Sequence, residues 1–221
     1  MSADSHFVRS REAIASFAAA DCGADTHPGS VFWRGASRIV AEGDFYGEPV
    51  ANHRTEILLQ YTHANLYVLF VCPYEQLHLK PDPVLTSETY ELWNWDVAEV
   101  FIGDDFENIR RYKEFEVSPQ GEWVDLDVNL DDPPHEKGWV WKSGVEVAAR
   151  VDARARVWYG AKRIPWRSVS DRAPKAGSRY RANFYRCQGA GPDRKYITWQ
   201  PVNRLSFHTP ECFGTLTLAE P

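Results

Sequence analysis

Short runs of β-branched and aromatic residues follow one another from residue 54 to the C-terminus, and Gly, Pro, Asn or Asp interrupt them every 8 to 15 residues. This spacing is typical of β-strands joined by turns, and such strands pack as sandwiches or barrels. Ten strands favour two packed antiparallel sheets, so the expected fold is an all-β, jelly-roll-like β-sandwich with few short helices. The predicted strands are Thr55–Tyr61, Leu66–Cys72, Val97–Ile102, Tyr112–Val117, Trp123–Asn129, Val145–Val151, Val157–Ile164, Arg179–Cys187, Tyr196–Trp199 and Gly214–Leu218.

The chain shows no linker, repeat or low-complexity tract, and its 221 residues suit one large all-β domain. We therefore predict a single domain over residues 1–221. Residues 1–50 follow the strand pattern poorly: the alanine-rich run from Ser10 to Ala20 has helical spacing, and Ser37–Val40 predicts an edge strand. These first 50 residues are expected to be a decoration on the sandwich.

The composition excludes several classes of partner. A net charge of −6 argues against nucleic acid, which is bound through clustered Lys and Arg. No window of about 18 apolar residues is present, so no membrane span is predicted. The N-terminus lacks a basic region followed by an apolar one, which predicts a cytoplasmic protein, or an extracellular one if a signal has been removed. The four cysteines have no C-x-x-C spacing, which favours buried free thiols over disulfides. The oligomeric state stays open.

The sequence of one predicted hairpin indicates which residues of its two strands lie opposite each other. Residues 111–129 alternate between apolar and polar on both sides of the turn Ser118-Pro-Gln-Gly121. If Ser118 and Gly121 lie opposite each other, Phe115 faces Val124 on the core side. The other side then carries the four acidic residues Glu114, Glu116, Asp125 and Asp127.

Like charges directly opposite each other on a sheet are destabilising, so the acidic side requires a positive partner or solvent. One hypothesis is a ladder of internal ion pairs with Arg179 and Arg181. Another is a Ca²⁺ ion, a cation that takes six to eight oxygen ligands, held by Glu114, Asp125 and Asp127. A solvated face without a partner is the third hypothesis. No cofactor is predicted with certainty, and calcium stays a candidate.

Five sequence blocks, in order, resemble the family 9 carbohydrate-binding modules, and in particular the single-domain, family 9-like bacterial proteins. The blocks are Trp93-Asn-Trp95-Asp96-Val-Ala-Glu99-Val-Phe-Ile, Tyr112-Lys-Glu-Phe-Glu-Val-Ser-Pro119, Ile164-Pro-Trp166, Arg181-Ala-Asn-Phe-Tyr-Arg186 and Phe213-Gly-Thr-Leu-Thr-Leu218. The resemblance implies a β-sandwich that binds a mono- or oligosaccharide without catalysis. It also implies aromatic rings that sandwich the pyranose and polar side chains that hold its hydroxyls.

The nine Trp, ten Tyr and eleven Phe residues suit such a ligand, because the C–H face of a pyranose stacks on aromatic rings. From the resemblance, Trp93 and Trp199 are the predicted ring pair. Trp93 precedes the Asp96-x-x-Glu99 strand entry, and Trp199 lies before the closing Phe-Gly-Thr-Leu strand. The full predicted carbohydrate site is Trp93, Trp95, Glu99, Arg111, Asn183, Trp199 and Gln200.

Two other functions stay open at this point. An interaction or structural domain with a degenerate sugar pocket would share the fold and would fail to bind sugar. A glycoside hydrolase needs two carboxyl groups at a suitable separation, and acidic residues are plentiful here. A haem module that uses Met and His as axial ligands is excluded because the only methionine is Met1. Gly-x-Ser-x-Gly is absent as well, and the chain is predicted not to be an enzyme.

Overall fold

The computed structural model describes residues 10–221, and this part of the chain is all-β. Its helices are short 3-10 helices, and none of them within residues 10–221 is long and apolar enough to cross a membrane. They span Phe32–Gly35, Leu92–Asn94, His135–Val140, Trp166–Ser168, Gly191–Asp193 and Pro210–Cys212.

All ten predicted strands are present, with ends within about two residues of the prediction, and two further strands precede them. The twelve strands are β1 (Glu12–Phe17), β2 (Ser37–Ala41), β3 (Thr55–Tyr61), β4 (Asn65–Pro73), β5 (Val97–Gly103), β6 (Arg111–Val117), β7 (Trp123–Asn129), β8 (Glu146–Asp152), β9 (Val157–Pro165), β10 (Arg179–Gln188), β11 (Lys195–Thr198) and β12 (Gly214–Leu218).

Hydrogen bonding joins the strands in the order β7-β6-β5-β10-β12-β1-β3-β4-β9-β8, while β11 pairs with β10 and β2 with β3. Neighbouring strands are antiparallel, except that β1 runs parallel to both β12 and β3. β1 lies between two halves of this order, β7-β6-β5-β10-β12 on one side and β3-β4-β9-β8 on the other. It pairs with β12 through Glu12 to Ala15 and with β3 through Ser16 and Phe17, so the path of pairing is continuous.

The prediction of a helical run from Ser10 to Ala20 is wrong, because the segment forms β1. Ala13 and Ala15 are fully buried, whereas Ile14 between them is half exposed. Tertiary pairing overrides the helix propensity of alanine here, because small side chains fit between the two halves of the fold. The idea that residues 1–50 are only a decoration is corrected too, since β1 lies in the middle of the strand order. The expected strand near Ser37–Val40 is observed as β2.

The largest apolar core lies between the two halves of the strand order. The rings of Phe70 on β4 and Phe184 on β10 lie 6.3 Å apart, and the buried Lys162 Nζ on β9 donates to the carbonyl of Ala98 on β5 at 2.8 Å. A second apolar cluster covers the opposite face of β5, β6, β7 and β10 and extends to the loops. Cys72 is buried in the first cluster and Cys187 in the second, and all four cysteines are free.

Candidate functional site

A cavity of about 710 Å³ lies over the outer face of β5, β6, β7 and β10, the face that carries the second cluster. The strands contribute its floor through Glu99 and Phe101 of β5, Glu114 of β6, Leu126 of β7 and Cys187 of β10. Loops, short 3-10 helices and β11 contribute its walls. The wall residues include Phe45, Trp93, His135, Glu136, Arg194, Tyr196, Phe207 and His208.

Strand register brings acidic residues together on this floor. Glu99 pairs with Glu116 on β6 and with Tyr185 on β10. Phe101, two residues along, pairs with Glu114 on β6. Because side chains two apart on a strand share a face, Glu99, Glu114 and Glu116 all point to the outer side of these strands.

The predicted register of the hairpin is wrong by one residue. Phe115 pairs with Asp125, and Glu114 pairs with Leu126. The turn contains one more residue than expected, because the N–H of Ser118 donates to the carbonyl of Glu122 at 2.9 Å and Gly121 has a φ of +95°. A glycine at positive φ in a three-residue loop allows this wider turn.

This register separates the four acidic residues of the hairpin. Glu114 and Glu116 face the outer side, whereas Asp125 and Asp127 lie on the other face of β7 with Phe115. There the Ser143 hydroxyl donates to Asp125 at 2.6 Å, and Lys113 pairs with Asp127. Glu114, Asp125 and Asp127 therefore do not converge on one calcium ion.

The predicted ion-pair ladder with β10 is wrong as well. Arg181 donates to the backbone carbonyls of Asp105 and Arg111, at 2.6 and 3.2 Å. Arg179 pairs with Glu12 at 3.8 Å. Neither arginine reaches Glu114 or Glu116, because backbone carbonyls and the N-terminal strand already hold both guanidinium groups.

Glu99, Glu114 and Glu116 form a compact carboxylate cluster, each offering an oxygen within 4.8 Å of the others. Each side chain is at most 3% exposed. Both oxygens of Glu116 and Oε2 of Glu114 lack a hydrogen-bond partner among residues 10–221, and Glu99 Oε1 accepts from the Cys187 thiol at 3.3 Å. The nearest basic nitrogen with a measured contact is Nε2 of His208, 3.9 Å from Glu114 Oε2. Buried carboxylates without a partner are costly, so the cluster is a strained part of the cavity.

Burial changes the protonation of the cluster. Burial raises the pKa of Glu99 to about 7, and burial together with the charge of Glu99 raises the pKa of Glu114 to about 8. Burial and the charges of its two neighbours raise the pKa of Glu116 well above its ordinary value. The cluster therefore holds protons near neutral pH, because three charged carboxylates cannot share so small a space.

Two histidines form the side of the cavity next to Glu114. His208 Nδ1 lies 2.7 Å from the Tyr112 hydroxyl, and its Nε2 lies 3.0 Å from Nε2 of His135. Burial, with a contribution from His135, lowers the pKa of His208 to about 3. His208 is therefore neutral in the folded protein at ordinary pH. Gly138 holds the loop that carries His135 close to β7, since a Cβ there would lie 2.3 Å from the carbonyl oxygen of Asp127.

The opposite wall is aromatic. The rings of Phe45 and Tyr196 stack at 4.7 Å with an interplanar angle of 27°. Phe207 lies against Phe45 at 5.1 Å and stacks on Tyr185 beneath it at 4.1 Å. These rings come from three separate segments of the chain and give the cavity a fixed apolar surface.

Trp93 lines the cavity from the 3-10 helix Leu92–Asn94, which Arg194 and Asp96 hold in place. The Arg194 guanidinium donates to the backbone carbonyls of Trp93, Asn94 and Trp95. The buried Asp96 carboxylate accepts from the backbone N–H of His78 at 2.9 Å and of Gly189 at 2.6 Å. The position of Trp93 is therefore determined by charged side chains on both sides of its loop.

Of the predicted carbohydrate site, the structure brings two residues to the cavity, Trp93 and Glu99. Trp199 lies in the core between the two halves, 4% exposed, and its ring packs against Phe184 and over Gly214. A ring in that position does not face a ligand. The prediction of Trp93 and Trp199 as a ring pair therefore does not fit this geometry.

The other predicted side chains have structural contacts. Asn183 is fully buried and donates to the Tyr185 hydroxyl at 2.7 Å, and Gln200 donates to the carbonyl of Ser10 at 2.9 Å. Arg111 is exposed at the start of β6, and Trp95 does not line the cavity but stacks on His78, which does. The structure therefore places none of these four residues in the cavity lining with Trp93 and Glu99.

The sequence analysis did not assign several of the cavity residues to the carbohydrate site. Glu114 was predicted as a calcium ligand and not as part of a sugar site. Phe207 and His208 lie in an irregular loop and His135 in a short 3-10 helix, where no periodic pattern exists to assign them. Tyr196 could have been identified from the sequence, because it is an aromatic residue three positions before Trp199, in the segment expected to supply the second ring.

Residues 145–218 match the sequence model of the family described as carbohydrate-binding family 9. A family 9 carbohydrate-binding module from Caldicellulosiruptor kristjanssonii, solved in complex with cellotriose, is 13% identical with a TM-score of 0.66, over 95% of this chain and 94% of that chain. The same organism's module in complex with glucose is 13% identical with a TM-score of 0.67, over 95% and 96%. A proposed carbohydrate-binding protein from Bacteroides uniformis is 15% identical with a TM-score of 0.72, over 94% and 98%. No curated protein matches the chain.

The chain therefore has the all-β fold of these carbohydrate-binding proteins over nearly its whole length. The resemblance to the family 9 carbohydrate-binding modules is confirmed by sequence over residues 145–218. Over the rest of the described chain the similarity to the solved modules is one of fold.

Proposed function

We propose that the protein binds a mono- or oligosaccharide in the cavity over β5, β6, β7 and β10, without catalysing a reaction. The observation that carries this proposal is the combination of an aromatic wall with a polar floor in one cavity. Two modules of similar fold were solved with glucose and with cellotriose, which supports a sugar as the ligand.

The arrangement suits the chemistry of a pyranose. A sugar ring needs an apolar surface for its C–H face, which Trp93, Phe45 and Tyr196 provide. Its hydroxyls need hydrogen-bond acceptors, which Glu99 and Glu114 provide on the floor. The volume of about 710 Å³ is within the usual range for pockets that bind small molecules and leaves room for more than one sugar unit.

We further propose that the strands form a two-layer, jelly-roll-like sandwich in a single domain. The contacts of Lys162 with Ala98 and of Phe70 with Phe184 support two facing layers, with β1 at the edge where both meet. The similarity to single modules over nearly the whole chain supports one domain.

Binding is favoured over glycoside hydrolysis because the family whose model matches is one of binding modules. An interaction domain with a degenerate pocket would share this fold and fail to bind sugar, so a binding measurement distinguishes the two.

Isothermal titration calorimetry with glucose and with cellotriose tests the proposal. We expect binding by the unmodified protein, and a loss of about tenfold or more in affinity for Trp93→Ala, since a stacked aromatic ring contributes about 1 kcal/mol beyond its buried area. Trp141→Ala is the matched control, because Trp141 is half-buried against Phe115 on the other face of β6 and lines no part of this cavity. A folded protein that binds neither sugar would favour the interaction domain.

A further inference from the structure

The cavity is lined by more acidic side chains than Lys or Arg side chains, and its arginine is already engaged in other hydrogen bonds. Glu99, Glu114 and Glu136 line it, and Glu116, outside the lining, offers a carboxylate oxygen within 4.8 Å of Glu99 and Glu114. Among the described residues of the lining, Arg194 is the one Lys or Arg side chain, and backbone carbonyls of Trp93, Asn94, Trp95 and Gly189 already accept its N–H groups. Arg194 and the buried Lys162 offset only part of the negative charge of the cluster. The cluster is therefore stabilised in one of two ways, by holding protons or by binding a cation in their place.

The carboxylate oxygens that have no hydrogen-bond partner indicate which kind of cation would fit the cluster. Both oxygens of the buried Glu116 and Oε2 of Glu114 have no partner among residues 10–221. A primary ammonium donates three hydrogen bonds in diverging directions, whereas a hydroxyl donates one. Buried carboxylates are stabilised far more by a cation with such bonds than by neutral donors.

A calcium ion fits the cluster less well than an ammonium. Calcium takes six to eight oxygen ligands, including backbone carbonyls of an irregular loop. Glu99, Glu114 and Glu116 lie within paired strands, whose carbonyls belong to the ladder between β5, β6 and β7. The other neighbours of the cluster on the cavity floor are the Cys187 thiol and the apolar side chains of Phe101 and Leu126.

We propose that the cavity selects sugars that carry a free amino group, with the ammonium bound by Glu99 and Glu114 and the ring held against the aromatic wall of Phe45 and Tyr196. This inference rests on the proposed function and narrows its ligand to amino sugars such as glucosamine. The neutral His208 beside Glu114 adds no opposing positive charge to the acidic floor. An N-acetylated amino sugar lacks the charge and is not selected.

The test is calorimetric titration with glucosamine, glucose and N-acetylglucosamine in the presence of EDTA, at about pH 7, where the amine is largely protonated. We expect glucosamine to bind about tenfold more tightly than glucose, because its hydrogen bonds to carboxylates are charge-assisted. N-acetylglucosamine is expected to have no such advantage. Added salt is expected to reduce the advantage only in part, since buried charge pairs are screened weakly.

Two variants test whether the preference for glucosamine depends on the carboxylate cluster. Glu114→Gln keeps the shape of the floor and removes one charge, so we expect it to lower the affinity for glucosamine severalfold more than the affinity for glucose. Glu220→Gln removes an acidic group at the exposed C-terminal end, outside the cavity lining, and is expected to leave the preference unchanged.

Three outcomes would overturn the inference. Equal affinity for glucosamine and glucose would remove the amino-sugar preference and leave the proposed function intact. A preference for any sugar that appears only when calcium replaces EDTA would assign the cluster to a metal ion. A folded protein that binds no sugar at all would remove the proposed function itself, and the inference with it.

Discussion

The two faces of β5 are equally buried and differ in chemistry. Ala98, Val100 and Ile102 point into the core between the two halves of the fold, and all are inaccessible to solvent. Glu99 and Phe101 point the other way, into the cavity, and are at most 2% exposed. Burial alone therefore does not distinguish a stabilising face from a binding face. The difference lies in what covers each face, which is another set of strands on one side and loops around a cavity on the other.

The two tryptophans predicted as a pair illustrate the same difference. Trp199 packs on the core side, where its ring lies over Gly214, while Trp93 lies in a loop at the cavity wall. Aromatic side chains on the core face contribute to folding through buried area, and those at the cavity are available to a ligand.

Replacing Trp199 by alanine is expected to have the largest effect on stability. The loss of a buried ring and the cavity left behind cost about 3 to 5 kcal/mol of the free energy of unfolding. Trp93→Ala, at a half-buried loop position, is expected to cost less than about 1 kcal/mol. Urea denaturation of both variants measures the difference. Equal losses would show that the cavity wall is part of the folding core.

Glu116→Gln is expected to stabilise the protein at alkaline pH. The pKa of Glu116 is raised in the folded state above its ordinary value of 4.5, so the folded state binds the proton more tightly than the unfolded state does. Stability contributed by this protonated carboxyl is present at low pH and is lost as the pH rises from about 4.5 through the raised pKa. The variant does not ionise, so we expect it to be more stable than the unmodified protein at pH 8 and to differ little from it at pH 4.

Thermal unfolding of Glu116→Gln and the unmodified protein across that pH range is the measurement. Glu220→Gln serves as the control, because it removes an exposed carboxylate outside the buried cluster. A gain that is the same at both pH values would contradict the raised pKa and would point to packing instead.

The smallest effect is expected for an ion pair outside both faces. Arg38 and Glu56 pair at 3.3 Å between β2 and β3, with side chains 56% and 39% exposed. Solvent and salt screen such a pair, so Arg38→Ala is expected to change the free energy of unfolding by less than about 0.5 kcal/mol. Urea unfolding of the variant and the unmodified protein at low and high salt measures this change. A larger loss of unfolding free energy would mean that the β2 edge depends on this contact.

The sequence predicted the strands well because their signal is local. In β7, for example, Val124, Leu126 and Val128 alternate with polar residues, and such a pattern survives whichever strand lies beside it. The same reasoning misplaced β1, where alanines indicate a helix locally and only pairing with β12 and β3 makes a strand.

The candidate site was predicted in part for the same reason. Trp93 and Glu99 belong to a block that resembles a known family, and both reach the cavity. Phe45, His135 and Phe207 lie far apart in the sequence and meet only after the strands have paired. A local pattern contains no information about which loops converge.

The sequence by itself determined the all-β class, the strand positions and the resemblance to family 9, because alternation and ordered motifs depend on neighbouring residues. The tertiary structure alone decided the hairpin register, and with it the cluster of Glu99, Glu114 and Glu116. One additional residue in the turn at Gly121 moves every β7 side chain to the opposite face relative to β6. Side chains on a strand alternate with a period of two, so a shift of one residue exchanges the core face for the cavity face.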